Sequence, residues 1–327
     1  MRGAMVHAIR VHQAGGPEVL QWEEVDVGEP GRGQVRLRQT AVGLNYIDVY
    51  HRTGLYPQPL PFTPGTEAAG VVEAVGDGVA ALSEGERVAY AGPIGSYSEA
   101  RLIDADRVVK LPDYVSDELA AAMMLQGMTA RMLLRAVYEV KPGDTILVHA
   151  AAGGVGLILC QWANALGATV IGTVSTDEKA AMASAHGCHH PIVYTRQDFV
   201  AEVDRITDGA KLPVVYDSVG KDTFLKSLDC LRPRGLMVSY GNASGPPDPI
   251  APALLAQKGS LFLTRPTLFN YIATREELEQ SAGELFDMVR SGKVKIEIGQ
   301  RFPLKDAAEA HRQLEARRTT GSTVLTV

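Results

Sequence analysis

A strand, a turn of small residues and an apolar helix follow one another over residues 145–167, and this order constrains the fold more than any other feature of the chain. The pattern predicts a strand at "TILVHA", a turn at "AAGGVG" and a helix at "GLILCQWANALG". A helix that follows a strand begins with unpaired backbone N–H groups, and the positive end of its dipole lies behind them. The turn is therefore expected either to hold an anion or to be a close-packed connection that only needs small residues.

The glycine spacing in this turn favours the anion. In the usual dinucleotide pattern, Gly-x-Gly-x-x-Gly, the matching positions here are Ala151, Gly153 and Gly156. Alanine at the first position requires only that the turn avoid positive φ at Ala151. Gly153 lets the backbone approach a pyrophosphate, and Gly156 lets the helix approach the strand.

The turn lies within a longer alternation of strands and helices. After "TILVHA", strands are predicted at "TVIGTV", "PIVY", "VVYDS", "LMVSYG" and "SLFLTRP", and helices at "DEKAAMASAHG", "DFVAEVDRITDG" and "TFLKSLDCLRPRG". Strands separated by helices indicate βαβ units, and six of them match the strand count of a doubly wound dinucleotide fold. Before about residue 125, short alternating runs broken by glycine-rich turns indicate a mostly antiparallel β domain. The tail carries two amphipathic helices and a strand, "VLTV", which is expected to return to that first domain.

Charge and cysteine content limit the partners. The 327-residue chain has a formal net charge of -6, so no basic field attracts nucleic acid or an anionic membrane surface. Its three cysteines, Cys160, Cys188 and Cys230, are far apart, and neither a disulfide framework nor a thiolate metal cluster is expected. The start "MRGAMVHAIR" has no long apolar run, and no later stretch reaches the ~20 apolar residues of a membrane span. We expect a cytoplasmic protein.

The end of the strand after the turn predicts which dinucleotide binds. An acidic side chain there would hold the ribose 2'-OH of NAD, but residues 172–174 are Gly-Thr-Val. Ser175 follows, and Lys179 offers a cationic partner for a 2'-phosphate. Asp177 and Glu178 argue the other way, unless they belong to the first turn of a helix that Ser175 or Thr176 caps. NADP is favoured over NAD.

A second cluster of polar and aromatic residues lies in the first domain, in "GLNYIDVYHRTGLYP". Asn45, Tyr46, Asp48, Tyr50 and Tyr56 crowd this segment, which is expected to be rich in turns. An apolar slot with a few hydroxyl and amide groups would suit a flat carbonyl compound. A tyrosine-rich loop that closes the β core is an equal alternative.

Five stretches together resemble a known family: "NYIDVYHRTGLYP", "PGTEAAGVVEAVGDGV", "HAAAGGVGLILCQWANALGATVIGTVST", "VYDSVGKDT" and "GLMVSYGNASG". The chain resembles the zinc-independent quinone oxidoreductases of the medium-chain dehydrogenase/reductase superfamily over essentially its whole length. The resemblance implies an α/β protein in which a GroES-like, mostly β catalytic domain accompanies a Rossmann domain with a doubly wound, parallel six-stranded sheet. It implies a catalytic domain of residues 1–125 completed by 269–327, a dinucleotide-binding domain of residues 126–268, NADPH in the cleft between them, and a homodimer joined through the Rossmann sheets.

Metal dependence divides this superfamily. Similar zinc alcohol dehydrogenases carry Gly-His-Glu, whose histidine binds zinc, and usually a four-cysteine lobe. Here the motif is Gly65-Thr66-Glu67, and no cysteine precedes it, so a zinc site would lack its N and S ligands. The run "HGCHH" at residues 186–190 is more consistent with a polar connector. No metal is expected, and without a Lewis acid the substrate must accept hydride readily, as quinones and conjugated enones do.

The resemblance also implies site residues. Asn45 and Tyr50 are candidates for hydrogen-bond donors or orienting groups, and Tyr56 is a candidate proton donor or wall. The implied cofactor-binding residues are Asn45, Tyr46, Asp48, Thr129, Ala151, Ala152, Gly153, Gly154, Val155, Gly156, Ser175, Lys179, Tyr194, Val219, Tyr240, Gly241, Asn242, Thr267, Leu268 and Arg317. One departure is Gln126, where relatives often have lysine, and this leaves the local electrostatics open.

Three hypotheses about function remain open. The first is NADPH-dependent reduction of a small-molecule quinone, by hydride or by single electrons. The second is NADPH-dependent reduction of enones or enoyl double bonds on the same fold. The third is a structural, crystallin-like role, or nucleic-acid binding. The acidic charge argues against nucleic-acid binding but not against a structural role.

Overall fold

The structure is a computed structural model that describes residues 5–327. Residues 1–4 of the expected first domain lie outside the described part of the chain. The chain divides into two compact units. The first comprises the described residues up to Gln126 together with Ile272–Phe286 and Ile296–Val327, and the second comprises Gly127–Tyr271 and Asp287–Lys295. The predicted bounds, 1–125 with 269–327 and 126–268, differ from these units at residue 126, at 269–271 and at 287–295.

The first unit is mostly β. Its strands are Met5–Arg10 (β1), Gln21–Asp26 (β2), Gln34–Leu44 (β3), Glu67–Val75 (β4), Arg87–Ala91 (β5), Ala100–Asp104 (β6), Val109–Lys110 (β7), Ile298–Pro303 (β14) and Ser322–Thr326 (β15). Its helices are Tyr46–Thr53 (α1), Asp117–Ala121 (α2) and Ala307–Glu315 (α10). The helix Arg275–Arg290 (α9) contributes its residues up to Phe286.

Long β3 organises this unit because it pairs antiparallel with β4, β6 and β15. The pairing with β15, in which Leu325 lies opposite Val42, confirms that the C-terminal strand returns to the first domain. Alternate residues of these strands, such as Val35, Leu37 and Leu325, are fully buried in one apolar core. This is the period-two pattern expected of a sheet with one face inside. β14, which the sequence pattern did not single out, pairs parallel with β15.

The second unit alternates strands and helices. Its strands are Thr145–Val148 (β8), Thr169–Val174 (β9), His190–Val193 (β10), Leu212–Asp217 (β11), Leu231–Ser239 (β12) and Phe262–Thr264 (β13). Its helices are Gly154–Ala165 (α4), Asp177–Ala185 (α5), Phe199–Ile206 (α6), Phe224–Asp229 (α7) and Ala253–Gln257 (α8). Met124–Arg131 (α3) crosses the boundary between the units in the sequence.

In the described chain the six strands of this unit form one sheet with the order β10-β9-β8-β11-β12-β13, and every neighbouring pair is parallel. The predicted fold class and the parallel Rossmann sheet are confirmed. One predicted helix was too long: "TFLKSLDCLRPRG" was expected to be helical to its end, but α7 ends at Asp229 and β12 begins at Leu231. Pro233 cannot continue a helix, and the register shift between Leu212 and Val214 absorbs the extra residues of β12.

No helix among residues 5–327 is long and apolar enough to cross a membrane.

Candidate active site

The tyrosine-rich segment of the first unit forms a helix, α1, and the expectation of a turn-rich loop was wrong. Asn45 is the N-cap, and Asp48, at the third helical position, accepts a 2.9 Å hydrogen bond from the Asn45 backbone N–H. Gly54, at φ 80°, ends the helix in the left-handed region that glycine tolerates. The capping residues and the terminal glycine were visible in the sequence and could have predicted this helix.

Both polar atoms of the Asn45 side-chain amide form hydrogen bonds. Its Nδ2 donates to Glu67 Oε2 at 2.7 Å, and its Oδ1 accepts from Gln126 Nε2 at 3.1 Å. Gln126 in turn accepts a 2.7 Å hydrogen bond from the hydroxyl of Ser322, on the returning strand β15. The amide of Gln126 therefore fixes the orientation of Asn45, where a lysine ammonium could not accept from Ser322.

Two buried carboxyl groups lie beside Asn45. Burial raises the pKa of Glu67 to about 8, against hydrogen bonds from Asn45 and from the backbone N–H of Leu125 that act in the opposite direction. Burial likewise raises the pKa of Asp48 to about 7, although the Asn45 backbone, Tyr97 and Thr66 all donate to it. These groups hold protons at a pH at which exposed carboxyls have lost them.

Asp48 ends a directed chain of hydrogen bonds. The guanidinium of Arg52 can only donate, so its 3.0 Å contact makes Nδ1 of His311 an acceptor and leaves the proton on Nε2. His311 Nε2 then donates to Tyr97 Oη at 3.0 Å, and Tyr97 donates to Asp48 Oδ2 at 3.0 Å. Burial lowers the pKa of His311 to about 3, with Arg52 acting in the same direction, so the ring is neutral.

Thr66 stands at the position where the sequence resemblance led us to look for a zinc-binding histidine. It is buried, and its hydroxyl donates to Asp48 Oδ1 at 3.4 Å, so this position supports the carboxyl network. Among residues 5–327, no group of three or more His, Cys, Asp or Glu side chains is arranged to hold a metal ion. The chain's cysteines, at 160, 188 and 230, all fall in the second unit and are buried thiols.

The tyrosines of α1 and the following loop form an aromatic row. The ring centroids of Tyr46 and Tyr50 are 5.9 Å apart, and the edge-on pair Tyr50 and Tyr56 is 5.2 Å apart. Tyr50 is buried and Tyr56 is half-buried. Burial raises the pKa of the Tyr46 phenol, as does the charge of Glu315, whereas Arg317 lowers it. The expected site residues of the first unit thus cluster around α1.

In the second unit, the turn after β8 has the form that a pyrophosphate needs. Ala150 adopts positive φ, at 54°, and Ala151 does not, so the alanine in the first glycine position is compatible with the turn. The N-cap of α4 is Gly153, which has no side chain to satisfy the first N–H groups of the helix. A Cβ on Gly156 would overlap the carbonyl oxygen of Ala150, so glycine lets α4 pack onto the end of the strand. The residues present therefore fit a dinucleotide phosphate.

The other expected cofactor residues of this unit follow the ends of its parallel strands. Because the carboxyl ends of parallel strands meet at one edge of a sheet, the structure brings these positions to a common edge. They are Ala151 after β8, Ser175 after β9, Tyr194 after β10, Val219 after β11, Tyr240, Gly241 and Asn242 after β12, and Thr267 and Leu268 after β13. Thr129 lies on α3, which is not part of this edge series.

The adenosine end of the expected site lies at β9 and β10. Thr176 is the cap of α5, since its hydroxyl accepts from the Lys179 backbone N–H at 3.2 Å. Asp177 and Glu178 therefore do belong to the first turn of a capped helix. Gly172 has a packing reason of its own, since a Cβ there would lie 2.6 Å from both Ala151 Cβ and Cys188 Sγ.

Comparison with known proteins gives the family. A profile described as zinc-binding dehydrogenase matches residues 186–325, and the alcohol dehydrogenase GroES-like domain matches residues 31–113. The quinone oxidoreductase of Pseudomonas aeruginosa is 54% identical over 98% of this chain and 99% of the relative. This chain belongs to the quinone oxidoreductase family of the medium-chain dehydrogenase/reductase superfamily. The family predicted from the sequence is confirmed.

Two further members place the family in context. A 2-haloacrylate reductase of a Burkholderia species is 52% identical, with 98% of this chain and 99% of that protein covered. The crystal structure of Escherichia coli quinone oxidoreductase complexed with NADPH superposes with a TM-score of 0.97 at 50% identity, covering 98% of this chain and all of that one. Quinone oxidoreductases and a reductase of a halogenated alkene thus share the fold.

A hydrogen-bonded network that joins three strand ends of the second unit was not identified from the sequence. Asp217 Oδ1, at the end of β11, accepts from the backbone N–H groups of Val219 and Gly220 at 2.8 and 3.0 Å. Its Oδ2 accepts from Ser227, whose Oγ is 2.9 Å from His149 Nε2. His149 Nδ1 lies 2.8 Å from Thr173 Oγ1. Polar residues at three strand ends were the available signal.

Proposed function

We propose that this protein is an NADPH-dependent reductase of quinones that works without a bound metal. The observation that carries the proposal is the phosphate-binding turn between β8 and α4, in a chain related over its full length to quinone oxidoreductases. When bound, NADPH supplies the hydride, or the electrons, that reduce the quinone. The protein binds and orients the two reactants and excludes water from them.

The second unit provides the nucleotide site. The N–H groups at the start of α4, with the backbone of Ala151, Ala152, Gly153, Gly154 and Val155, bind the pyrophosphate. Gly156 completes this site by letting α4 approach the end of the strand. Ser175, Lys179 and Tyr194 bind the adenosine 2'-phosphate. In support, the end of β9 has no carboxylate for a ribose 2'-OH. Lys179→Ala should therefore weaken NADPH much more than NADH.

The first unit provides the acceptor side. Asn45 keeps a second Nδ2 hydrogen besides the one that Glu67 accepts, and its fixed amide can donate that hydrogen to a carbonyl or carboxamide oxygen. Tyr50 forms the wall of the aromatic row, and Tyr56, which is more exposed, donates to the developing oxyanion of the acceptor. Asp48 is fully buried and accepts from the Asn45 backbone N–H, so its part in the cofactor site is to position Asn45.

Metal-free chemistry is supported by the donors near Asn45. Thr66 supplies a hydroxyl where a zinc ligand would need imidazole nitrogen, and the neighbouring carboxyls are protonated by burial, which disfavours a cation. A quinone needs no Lewis acid, because conjugation spreads the negative charge that hydride attack leaves on it. Elemental analysis of the purified protein should find zinc well below one equivalent, and a full equivalent would reject this part of the proposal.

The assembly and compartment are also proposed. β13 is an edge strand of the parallel sheet, and its Phe262 and Leu263 are 62% and 40% exposed. An apolar sheet edge of this kind is suited to pairing with a second copy, so we propose a homodimer joined through the Rossmann sheets. The thiols of Cys160, Cys188 and Cys230 are buried and form no disulfide, which suits a reducing compartment, the cytoplasm.

A second activity, reduction of electron-poor carbon–carbon double bonds, is favoured by one specific observation. The Burkholderia relative at 52% identity is a 2-haloacrylate reductase. An activated alkene, like a quinone, accepts hydride into a conjugated system, and Tyr56 would then serve as its proton donor.

A panel of acceptors separates the two activities. NADPH and NADH oxidation is measured in metal-free buffer with benzoquinone, a small enone, an enoyl thioester and a haloacrylate. The proposal predicts the highest kcat/KM for the quinone with NADPH. A preference for the haloacrylate or enoyl acceptor would select the second activity, and tight NADPH binding without turnover of any acceptor would reject both.

A further inference from the structure

We propose that Arg196 is a cofactor-specificity residue, which neutralises Asp177 so that the end of β9 accepts the 2'-phosphate of NADPH. This inference rests on the proposed function, because it concerns the adenosine end of the same nucleotide site. It assigns a role to two residues outside the expected contact set. It also explains how a strand end followed by two acidic residues can suit an anionic ligand.

The loop after β10 is hydrogen-bonded to the end of β9 and the loop that follows it. The strands are parallel neighbours, with Val193 opposite Val174. Beyond their ends, the Tyr194 backbone N–H donates to Val174 O at 3.1 Å, and Thr195 Oγ1 donates to Ser175 O at 3.1 Å. These bonds hold the residue that follows, Arg196, beside the start of α5.

In this position Arg196 forms two parallel hydrogen bonds with the carboxylate of Asp177. Its Nη1 donates to Asp177 Oδ2 at 2.9 Å, and its Nη2 donates to Oδ1. This bidentate geometry fits a guanidinium to a carboxylate, and the ammonium group of lysine cannot form it. The hydrogen bond from Arg196 lowers the pKa of Asp177, so the carboxylate is ionised and paired.

The pairing matters because of where Asp177 lies. It is the first residue of α5, two positions beyond Ser175, at the strand end where a dinucleotide fold holds the adenosine ribose. A carboxylate at this place with no cationic partner repels the 2'-phosphate of NADPH. It does not repel the uncharged ribose 2'-hydroxyl of NADH. The charges of Asp177 and Glu178 are balanced by those of Lys179 and Arg196. Loss of Arg196 leaves these remaining residues, 177–179, with a net negative charge.

The test compares Arg196→Gln, Asp177→Asn and the double variant in the full-length protein. Dissociation constants for NADPH and NADH are measured by fluorescence titration at low and high salt, together with competition by adenosine 2',5'-bisphosphate and by AMP. The ion pair is solvent-exposed, so Arg196→Gln should weaken NADPH and the bisphosphate by about 5- to 20-fold at low salt, and less at high salt. NADH and AMP should change by less than about twofold.

The double variant gives the deciding result. If Arg196 acts by neutralising Asp177, adding Asp177→Asn to Arg196→Gln should restore NADPH affinity to within about threefold of the parent. A double variant as weak as Arg196→Gln would overturn the inference, because Arg196 would then be contacting the ligand directly. Equal losses for NADPH and NADH would also overturn it.

A matched control and the parent protein keep the outcomes distinct. Arg205→Gln removes the same charge from another exposed ion pair of this unit, with Glu202 on α6, and should leave both affinities unchanged. If the parent turns over quinones with NADPH but Arg196→Gln keeps the parent's NADPH preference, the inference alone fails. If the parent binds neither nucleotide, the inference and the proposed function fail together.

Discussion

The side-chain amide of Gln126 donates a 3.1 Å hydrogen bond to Asn45 Oδ1. It accepts another from Ser322, so Gln126, on α3, links the C-terminal strand β15 to the N-cap of α1. Through Gln126, Ser322 on β15 thus helps to set the orientation of the Asn45 side chain. The proposed role of Asn45 depends on that orientation.

Gln126→Met should therefore impair catalysis beyond its effect on stability. Methionine has a similar volume and keeps no hydrogen bond, so Asn45 Oδ1 loses its partner, whereas the Ser322 hydroxyl keeps the carbonyl oxygen of Ala122 at 2.8 Å. We expect a cost of about 1–3 kcal/mol in unfolding free energy. Asn45 then becomes free to rotate, and we expect kcat with benzoquinone to fall by about tenfold. Denaturant unfolding and steady-state kinetics measure the two effects.

Gln161→Met is the control for this variant. Gln161 is also buried, and its side chain bonds to the backbone of Lys295 within the second unit. It should lose comparable stability and keep kcat within about twofold. An equal drop in kcat for both variants would show that Gln126 has only a structural role.

Stability should depend on pH through Asp48 and Glu67. Their pKa values are raised to about 7 and about 8, so the folded protein holds two protons that the unfolded chain has released above about pH 4.5. Their contribution is complete below the unfolded pKa and is lost as the pH rises through 7 and 8. The unfolding free energy should therefore fall as the pH rises from about 4.5 to about 8, by at most about 1.4 kcal/mol per pH unit for each proton.

Histidine burial acts at lower pH and in the opposite direction. The pKa values of His51 and His311 are lowered to about 4 and about 3, so their neutral forms stabilise the fold above the ordinary histidine range and that stability is lost in acid. Urea titrations above about pH 6.5 thus isolate the carboxyls. Glu67→Gln should flatten the slope there, and Glu202→Gln, on the surface of α6, should not. An unchanged slope in Glu67→Gln would contradict the protonated carboxyl.

Gly156→Ala should damage the nucleotide site. A Cβ at this position would overlap Ala150 O, which forces α4 away from the end of β8 and displaces the N–H groups that bind the pyrophosphate. We expect NADPH affinity to fall by more than about tenfold, together with a loss of stability. Gly283→Ala, on α9 with no atom within 4 Å of the added carbon, should instead raise stability by about 0.5–1 kcal/mol. Normal NADPH binding by Gly156→Ala would contradict the fit of this turn.

Phe262→Asp should dissociate the proposed dimer. It places a charge on the exposed edge strand β13, where a second copy would have to bury it. Light scattering after size exclusion should give the mass of one chain, against two for the parent. Leu225→Asp, which adds the same charge to an exposed leucine of α7, should leave the mass unchanged. A monomeric parent would reject the dimer itself.

Regular features of this protein could be predicted from its sequence. The six parallel strands, the turn at residues 151–156 and the return of "VLTV" to the first sheet follow from local patterns that the structure keeps. The network around Asn45 could not be predicted, because Glu67, Gln126 and Ser322 are brought to it by strand pairings far apart in the sequence. The pairing of Asp177 with Arg196 was missed for the same reason, since it depends on which strands are neighbours.

The most direct test of the central claim is the rate at which the metal-depleted protein oxidises NADPH with benzoquinone as acceptor. The account predicts saturable turnover that persists after chelation and that is much slower with NADH. Oxidation no faster than in protein-free buffer, or turnover that disappears with the metal and returns when zinc is added back, would contradict it.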